Sequence, residues 1–435
     1  MVEGRVTSVI GLGFGDCGKG LFTDYLCRAQ SAHTVVRFNG GAQAGHNVVL
    51  PDGRQHTFSQ FGAGTFNPGV ATVLSAPVVM HPTALLVEES FLQRAGVSDA
   101  FSRLLIDARC LVTTPYHEAA GRLRERARGA GAHGSCGVGF GETVGHALRH
   151  PDQAIRYADL LHAPQALDKL EALRLSLLGA LPDGALALSA QDADVLNDPG
   201  FGRLWLEHAQ RLTAQVSPAQ LEQISAQLRR PGSVVMEGAQ GMLLDEWHGF
   251  HPHTTWSSTG PASADAVLAS YGLNERIVHL GAMRSYLTRH GQGPLPTEDR
   301  VLDQLAEPHN QDSGWQGAFR RGHPDAVLLR YALAVAQRID GLLVSHLDVF
   351  ARGAKLHWAH SYGIAGREVR ELTLPTGRDL AHQEVLCTQL GAAVPRYTHA
   401  PIAGAATFID ELQSVAKLPV VSGSFGPTHR HVGLP

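Results

Sequence analysis

Val6-Thr-Ser-Val-Ile-Gly11-Leu-Gly-Phe-Gly-Asp16-Cys-Gly-Lys19-Gly20-Leu-Phe-Thr-Asp-Tyr-Leu-Cys27 is the stretch on which the fold turns. It opens as a short apolar run rich in β-branched residues, passes through five glycines in ten residues, and continues with apolar residues at helical spacing. That is a strand, a tight turn and a helix. Glycines let backbone N–H groups close on an anion, the amino end of the helix adds partial positive charge, and Lys19 adds a point charge. From Gly13 to Lys19 the turn follows the phosphate-binding pattern G-x-x-x-x-G-K-[S/T], but Gly20 stands where Ser or Thr would hold magnesium. A magnesium ligand must then come from elsewhere, and Asp16, inside the turn, is the nearest candidate. An acidic side chain among phosphate-binding amides is repulsive unless a cation sits beside it.

Outward from this unit, Gly-rich blocks recur at the ends of further apolar runs. Strands are expected at Val6–Leu12, Thr34–Phe38, Ala71–Val79, Ser233–Met236, Ile277–Ala282, Gly341–Leu347 and Pro419–Ser422. They are short and apolar on both faces, as parallel strands covered by helices are. Helices are expected at Gly20–Ala29, Pro115–Ala130, Pro164–Leu178, Pro218–Leu228, Asp325–Gln337 and Thr407–Ala416, with Thr114-Pro115 and Ser217-Pro218 each reading as an N-cap followed by an N1 proline. The expected architecture is α/β: one large domain over 1–435, a central and mainly parallel sheet, and a helical insertion near 145–215.

Composition bounds the function. Thirty-six Lys+Arg against forty Asp+Glu in 435 residues leaves no basic stripe for nucleic acid or anionic membrane. No apolar run of about eighteen residues exists to span a bilayer. The first apolar run is short and enters glycines directly, so no signal peptide is expected and the cytoplasm is the expected compartment. Cys17, Cys27, Cys110, Cys136 and Cys387 contain no CxxC pair, and no tight Cys/His cluster suggests zinc.

A second block reads Val35-Val-Arg-Phe-Asn39-Gly-Gly-Ala-Gln43-Ala-Gly45-His46-Asn47. GDxGKG followed by GGxxAGH resembles the adenylosuccinate synthetase family, and further blocks agree in order. Gly134-Ser-Cys-Gly-Val-Gly-Phe-Gly141 resembles GTTGRGIG, and Glu237-Gly-Ala-Gln240-Gly-Met-Leu-Leu-Asp245 with His248-Gly and Thr255 resembles EGAQGxLLD…HG…T. Gly293-Pro-Leu-Pro-Thr-Glu298 resembles GPFPTE, Leu347-Asp348-Val349 a KLDV strand end, and Gly423-Ser424-Phe-Gly426-Pro427 the STGP loop. Seven collinear blocks span nearly the whole chain.

The resemblance implies a two-step ligation. An aspartate takes the N1 proton of IMP, the 6-oxygen attacks the γ-phosphate of GTP, and the amine of L-aspartate displaces phosphate from 6-phosphoryl-IMP to give adenylosuccinate. Carried over by motif position, Asp16 is base and Mg2+ ligand, Gly45 lends a carbonyl to the metal, and His46 stabilises or protonates the oxygen between C6 and phosphorus. Lys19 joins them as a catalytic cation. Gln43, Ser135, Cys136, Arg149, Gln240 and Thr255 stand at IMP-holding positions. Gly15, Gly18, Lys19, Gly20, Asn47, His346, Asp348, Ser424 and Gly426 stand at GTP positions, with Asp348 reading guanine. Arg320 and Arg321 would hold aspartate, and a homodimer is implied.

This chain departs from the pattern at several points. Cys17 replaces Glu in GDEGKG, and Val138 stands where GTTGRG has Arg. His346 replaces Lys beside the guanine carboxylate, which leaves ATP open as donor. The loop with Thr-Thr-Gly and an arginine run is here Asp312-Ser-Gly-Trp-Gln-Gly-Ala-Phe-Arg320-Arg321-Gly322. A branch resembling this family makes 2-aminoadenylosuccinate from dGMP and lacks the catalytic aspartate, which Asp16 retains. A silent nucleotide-binding regulator is the remaining alternative, against which Asp16, Lys19 and His46 speak.

Overall fold

A computed structural model describes residues 5–305, 310 and 315–434. Its centre is a ten-stranded sheet. In chain order the strands are β1 (Val6–Gly11), β2 (Ala32–Arg37), β3 (Ala71–Leu74), β4 (Leu104–Asp107), β5 (Pro218–Ala219), β6 (Ser233–Glu237), β7 (Ile277–Arg284), β8 (Gly341–Ser345), β9 (Val420–Ser424) and β10 (Val432–Gly433). Across the sheet they run β10-β9-β8-β7-β1-β6-β2-β3-β4-β5. Val6 pairs in parallel with Val234 on one side and Ile277 on the other; only the β9–β10 pair is antiparallel. Strands buried on both faces, such as β1 and β7, carry the uninterrupted apolar runs that parallel sheets require.

Helix α1 (Lys19–Ala29) follows β1 directly. Gly18 ends the turn at φ +79°, and a Cβ there would meet the Ser345 side chain at 2.8 Å. Only glycine satisfies both the left-handed backbone and the close approach. One core layer packs β1, β6, β7 and β8 against the helices Pro261–Ser270, Ala326–Ala336 and Ala405–Ala416, with Trp358 fully buried beneath the last. A second core gathers Pro82–Arg94, Pro115–Arg128, Ala163–Gly179 and Gly200–Thr213 around Leu123, Leu173 and Leu206. Three helices, Ala163–Gly179, Ala190–Asn197 and Gly200–Thr213, fall within 145–215.

Two expectations are corrected. Pro218 begins no helix: Pro218–Ala219 pairs with Ile106 and Asp107 as the edge strand β5, and the helix starts at Leu221 with Gln220 as cap. A sheet edge tolerates a proline that lacks an N–H. The run Ala71–Val79 stops at Leu74, where the Ser75 amide turns to the Arg37 carbonyl and Val78 closes a turn on Ser75, leaving Val79–Met80 as a separate strand. Pro77 within that turn could not have continued the ladder. Helices Pro82–Arg94, Phe140–Arg149 and Leu380–Gly391, and the small antiparallel pairs outside the main sheet, have no counterpart among the sequence expectations.

Candidate active site

The carboxyl ends of β1, β6, β7, β8 and β9 open on one edge of the sheet, where open α/β sheets bind ligands. The glycine turn leaves β1 there. Asp16 sits in it at φ +45°. Its Oδ2 accepts from Arg284 Nη2 at 2.5 Å and from Asn310 Nδ2 at 2.9 Å, and the Arg284 Nε also donates to the Asp16 carbonyl. Arg284 is the last residue of β7 and is held in turn by the Tyr286 hydroxyl at 2.9 Å. Lys19 is buried and donates to the Gln240 carbonyl at 2.7 Å.

His46 begins the strand His46–Val49, which packs on the first turn of α1: a Cβ on Gly20 would lie 2.7 Å from the Asn47 carbonyl oxygen. Its Nδ1 meets Glu237 Oε1 at 2.6 Å, while Glu237 Oε2 accepts from the Ala63 amide at 2.9 Å. Burial, outweighing the attraction of Glu237, brings the His46 pKa down to about 4. Burial pushes the Glu237 carboxyl up, but His46, Arg37 and the Ala63 amide together bring it below the ordinary value. The imidazole is therefore neutral near pH 7. The carboxylate fixes its proton on Nδ1, which leaves Nε2 as a lone pair.

Beside this pair lies the turn Gly40-Gly41. Asn39 joins it to the β6 end by accepting from the Ala239 amide at 2.7 Å. Gln240, at φ +56°, brings its side-chain amide against Gly40, and Gln43 brings its own against Gly41. Among the described residues both Gln43 amide atoms and Gln240 Oε1 are buried without a hydrogen-bond partner. Buried polar atoms are rarely left so, and these amides, beside the Gly40-Gly41 turn, are free to meet a ligand.

The other candidate residues divide. At the ends of β8 and the glycine turn, Ser345 Oγ donates to the Cys17 carbonyl at 3.3 Å, His346 Nδ1 lies 2.9 Å from Ser345 Oγ, and the His346 ring meets Tyr286 edge-on. Burial lowers the His346 pKa well below its ordinary value. The imidazole thus turns toward the glycine turn. Asp348 pairs with Arg352 at 2.9 Å. Ser424 Oγ donates to the Gly426 carbonyl at 2.6 Å, and its own carbonyl accepts from Leu347, so the Asp348 and Ser424 loops sit side by side. Gly15 and Gly18 shape the turn with positive φ. The Asn47 side chain accepts from the Thr57 hydroxyl.

Ser135 and Cys136 lie in the loop before helix Phe140–Arg149. Glu125 Oε1 accepts from the Gly134 and Ser135 amides at 2.7 and 3.0 Å, and burial raises the Cys136 thiol. Thr255 is fixed by its amide on the Leu244 carbonyl at 2.8 Å. Arg149 is exposed in the last helical turn, its Nε on the Gly145 carbonyl. Gly45, exposed, adjoins His46. Arg320 donates Nε and Nη2 to Glu298 Oε2 at 3.0 and 2.5 Å and Nη1 to the carbonyls of Gly291 and Gly293. Arg321 reaches Asp303 at 3.3 Å. Asp312–Gly314 lie outside the described residues.

Sequence reading assigned no role to Glu237, Arg284 or Asn310. Glu237 and Arg284 each end an apolar strand with a charge, a signal the sequence carries. Asn310 carries none. All five cysteines are free thiols. Among the described residues no helix is long and apolar enough to cross a membrane.

A phosphate-binding turn, an acid within it and a histidine–carboxylate pair on the same sheet edge define a nucleotide-using α/β enzyme. The family model for adenylosuccinate synthetase matches residues 8–432. The chain is 34% identical over 390 residues to the adenylosuccinate synthetase of Mycobacterium leprae, covering 88% of this chain and 85% of that one. It is 33% identical over 430 residues to that of Myxococcus xanthus, covering 96% and 95%. The fold resembles the fully ligated adenylosuccinate synthetase of Plasmodium falciparum, with TM-score 0.78 at 21% identity over 99% of this chain and 100% of that one. It also resembles the cyanophage S-2L succinoaminodeoxyadenylate synthetase bound to dGMP and dATP as energy donor, with TM-score 0.62 at 17% identity over 99% and 95%. The chain belongs to the adenylosuccinate synthetase family of carbon–nitrogen ligases.

Proposed function

We propose that the protein joins L-aspartate to C6 of IMP at the expense of GTP, releasing adenylosuccinate, GDP and phosphate, and that it works as a cytoplasmic homodimer. The observation that carries this reading is the buried amide of Gln43 and the buried Oε1 of Gln240, without partners among the described residues, beside an acid-bearing phosphate turn. Side-chain amides hydrogen-bond both to phosphate oxygens and to base edges.

Asp16 accepts the N1 proton of IMP, and Arg284 and Asn310 orient the carboxylate for it. Loss of that proton makes the 6-oxygen a nucleophile toward the γ-phosphate. Lys19 and the turn amides offset charge on the phosphates. His46 presents Nε2 beside the transferring oxygen, and ionised Glu237 supports the imidazolium when Nε2 takes a proton. Gln43, Gln240, Ser135, Cys136 and Thr255 hold IMP, with Arg149 supplied across the dimer. Gly15, Gly18, Gly20, Asn47, His346, Asp348, Ser424 and Gly426 form the GTP side, where the Asp348 carboxylate accepts from guanine N1–H and its 2-amino group. Arg320 and Arg321 line the aspartate side.

The Asp16 carboxylate and the Gly45 carbonyl are hard oxygen donors of the kind that would hold Mg2+. When bound, the ion neutralises phosphate charge. Purified protein with IMP, GTP, Mg2+ and L-aspartate is expected to give the absorbance rise of an N6-substituted purine. Turnover with dGMP alone, or tight nucleotide binding with no turnover, defeats the proposal.

A further inference from the structure

The loop 132–139, which carries Ser135 and Cys136, is pinned through its backbone. Glu125, in the last turn of helix Pro115–Arg128, receives the Gly134 and Ser135 amides on one oxygen, Oε1, at 2.7 and 3.0 Å. Its Oε2 accepts from Arg128 at 2.7 Å. Just before these amides, the His133 carbonyl accepts from His253 Nδ1 at 3.2 Å. Just after them, the Gly137 carbonyl accepts from Arg122 Nε at 2.8 Å, and the Gly137 amide donates to Ser135 Oγ at 3.1 Å. The hydroxyl so held keeps its proton as a donor.

Glu125 is the costly member of this set. It is buried, with 6% of its surface exposed, and the carboxyl end of a helix disfavours negative charge. Burial pushes its pKa up, but the Ser135 amide, Arg128 and the Gly134 amide together bring it below the ordinary value. An apolar side chain would fill the same space without desolvating a charge. What the carboxylate adds is the capture of two successive amides in a glycine-rich loop.

The loop runs on to the candidate active site. Phe140 follows it, and a Cβ on Gly41 would meet the Phe140 ring at 3.1 Å and Gln43 Oε1 at 3.0 Å. The end of the loop and the buried Gln43 amide thus close on the same glycine, in the turn that continues to His46. His253 belongs to the segment that carries Thr255, so its bond to His133 ties that segment to the Ser135 loop.

We propose that Glu125 is a positioning residue for the purine nucleotide: it draws the Gly134–Ser135 backbone onto helix Pro115–Arg128, so that Ser135 and Cys136 stand in place before IMP arrives. The proposal rests on the assignment of this loop to IMP above. Both carboxyl oxygens are taken by the loop and by Arg128, so Glu125 acts through the loop. Without it the loop samples other arrangements, and the apparent Kd for IMP rises in inverse proportion to the fraction of molecules with the loop in place.

The test is the Kd for IMP by calorimetry, with kcat and KM for GTP, in the full-length protein and its variants. Glu125→Ala and the space-filling Glu125→Met are each expected to raise the Kd for IMP at least about tenfold, with kcat at saturating IMP and KM for GTP within about threefold of the parent. Glu125→Gln keeps an oxygen acceptor of the same reach and is expected to bind IMP within about threefold of the parent. Arg128→Ala removes only the partner of Oε2 and is expected to stay within about twofold. A lowered melting temperature in Glu125→Met with IMP affinity unmoved would make the glutamate merely structural and overturn the proposal. Glu125→Gln or Arg128→Ala binding as weakly as Glu125→Met would overturn it too. A parent that binds IMP without turnover defeats the ligase reading and leaves these comparisons standing, whereas a parent that binds no IMP overturns both.

Discussion

Two buried imidazoles sit at opposite ends of the same sheet, each beside a carboxylate. At the carboxyl end, His46 meets Glu237 at 2.6 Å and keeps 5% of its surface exposed. At the amino end, His279 lies between Ser8, whose Oγ is 2.7 Å from its Nδ1, and Asp265, whose Oδ1 is 3.4 Å from its Nε2. Serine, histidine and aspartate in a row have the composition of a hydrolytic triad, yet Ser8 and His279 are wholly buried. Nothing can reach that serine, and a triad is recognised by the role its geometry allows. The group binds β1, β7 and helix Pro261–Ser270 together. The end of the sheet where loops diverge is where open α/β sheets leave room for a ligand.

The sharpest way to break this contrast is at the acid of the open end. Asp16→Asn is expected to lower kcat at least about 10^3-fold while IMP and GTP bind within a few-fold, because the base is lost and the turn amides remain. Full turnover in that variant would remove Asp16 as base. Next come the two histidines. His46→Asn is expected to reduce kcat about 10^2-fold with little change in melting temperature. His279→Asn should do the reverse, costing about 1–3 kcal/mol through unsatisfied buried groups with kcat unchanged. A fall in kcat from both variants, each with stability kept, would erase the distinction.

Much of the open end was legible because its signals are local. Asp16, Lys19, Gly45 and His46 lie in two glycine-rich blocks, and the strand before each turn is an apolar run any reading finds. The partners of these residues were not legible. Arg284 reaches Asp16 across 268 positions and Asn310 across 294, and no local pattern encodes such a meeting. The partners of Arg320 were hidden for the same reason: nothing local joins it to Glu298 or to the carbonyls of Gly291 and Gly293. Pro218 misled because a Ser-Pro pair signals a helix start strongly, and only the neighbouring strand makes it an edge. Ser8 and His279, 271 positions apart, show the converse, a constellation absent from the sequence and without access in the fold.

The two imidazoles agree in one respect, and pH should show it. His46 titrates near 4 when folded and near 6.5 when unfolded, so between these values the unfolded chain carries more protons. Stability then falls as pH falls through that window and flattens below it, at a cost of at most about 3 kcal/mol. Burial first, then Arg338, lowers His279 as well, so it acts in the same direction. Asp325, raised by burial to about 6, acts in the opposite one. Urea titrations at pH 7 and pH 4.5 are expected to show a smaller acid loss in His46→Asn, and separately in His279→Asn, than in the parent. An unchanged loss in either variant would mean that its histidine is not held neutral.

The smallest effect belongs to a third buried imidazole, one with no carboxylate in contact. His117 stands at the third position of helix Pro115–Arg128, and burial first, then His146, brings its pKa down to about 3. Its Nδ1 accepts from the Thr114 amide at 3.2 Å while the Thr114 hydroxyl accepts from the His117 amide at 3.4 Å, a reciprocal cap in which histidine takes the place of glutamate. A ring that accepts on Nδ1 carries its proton on Nε2, the opposite tautomer to His46, and that Nε2 is buried with no partner among the described residues. Thr114→Ala removes half of the cap and is expected to cost about 1 kcal/mol in urea denaturation, with kcat and both nucleotide affinities unchanged. A kinetic effect would mean that the cap also sets the Ser135 loop, since Gly139 packs on the His117–Glu118 backbone. In that case the line between the closed and open ends of the sheet would have to be drawn nearer to His117.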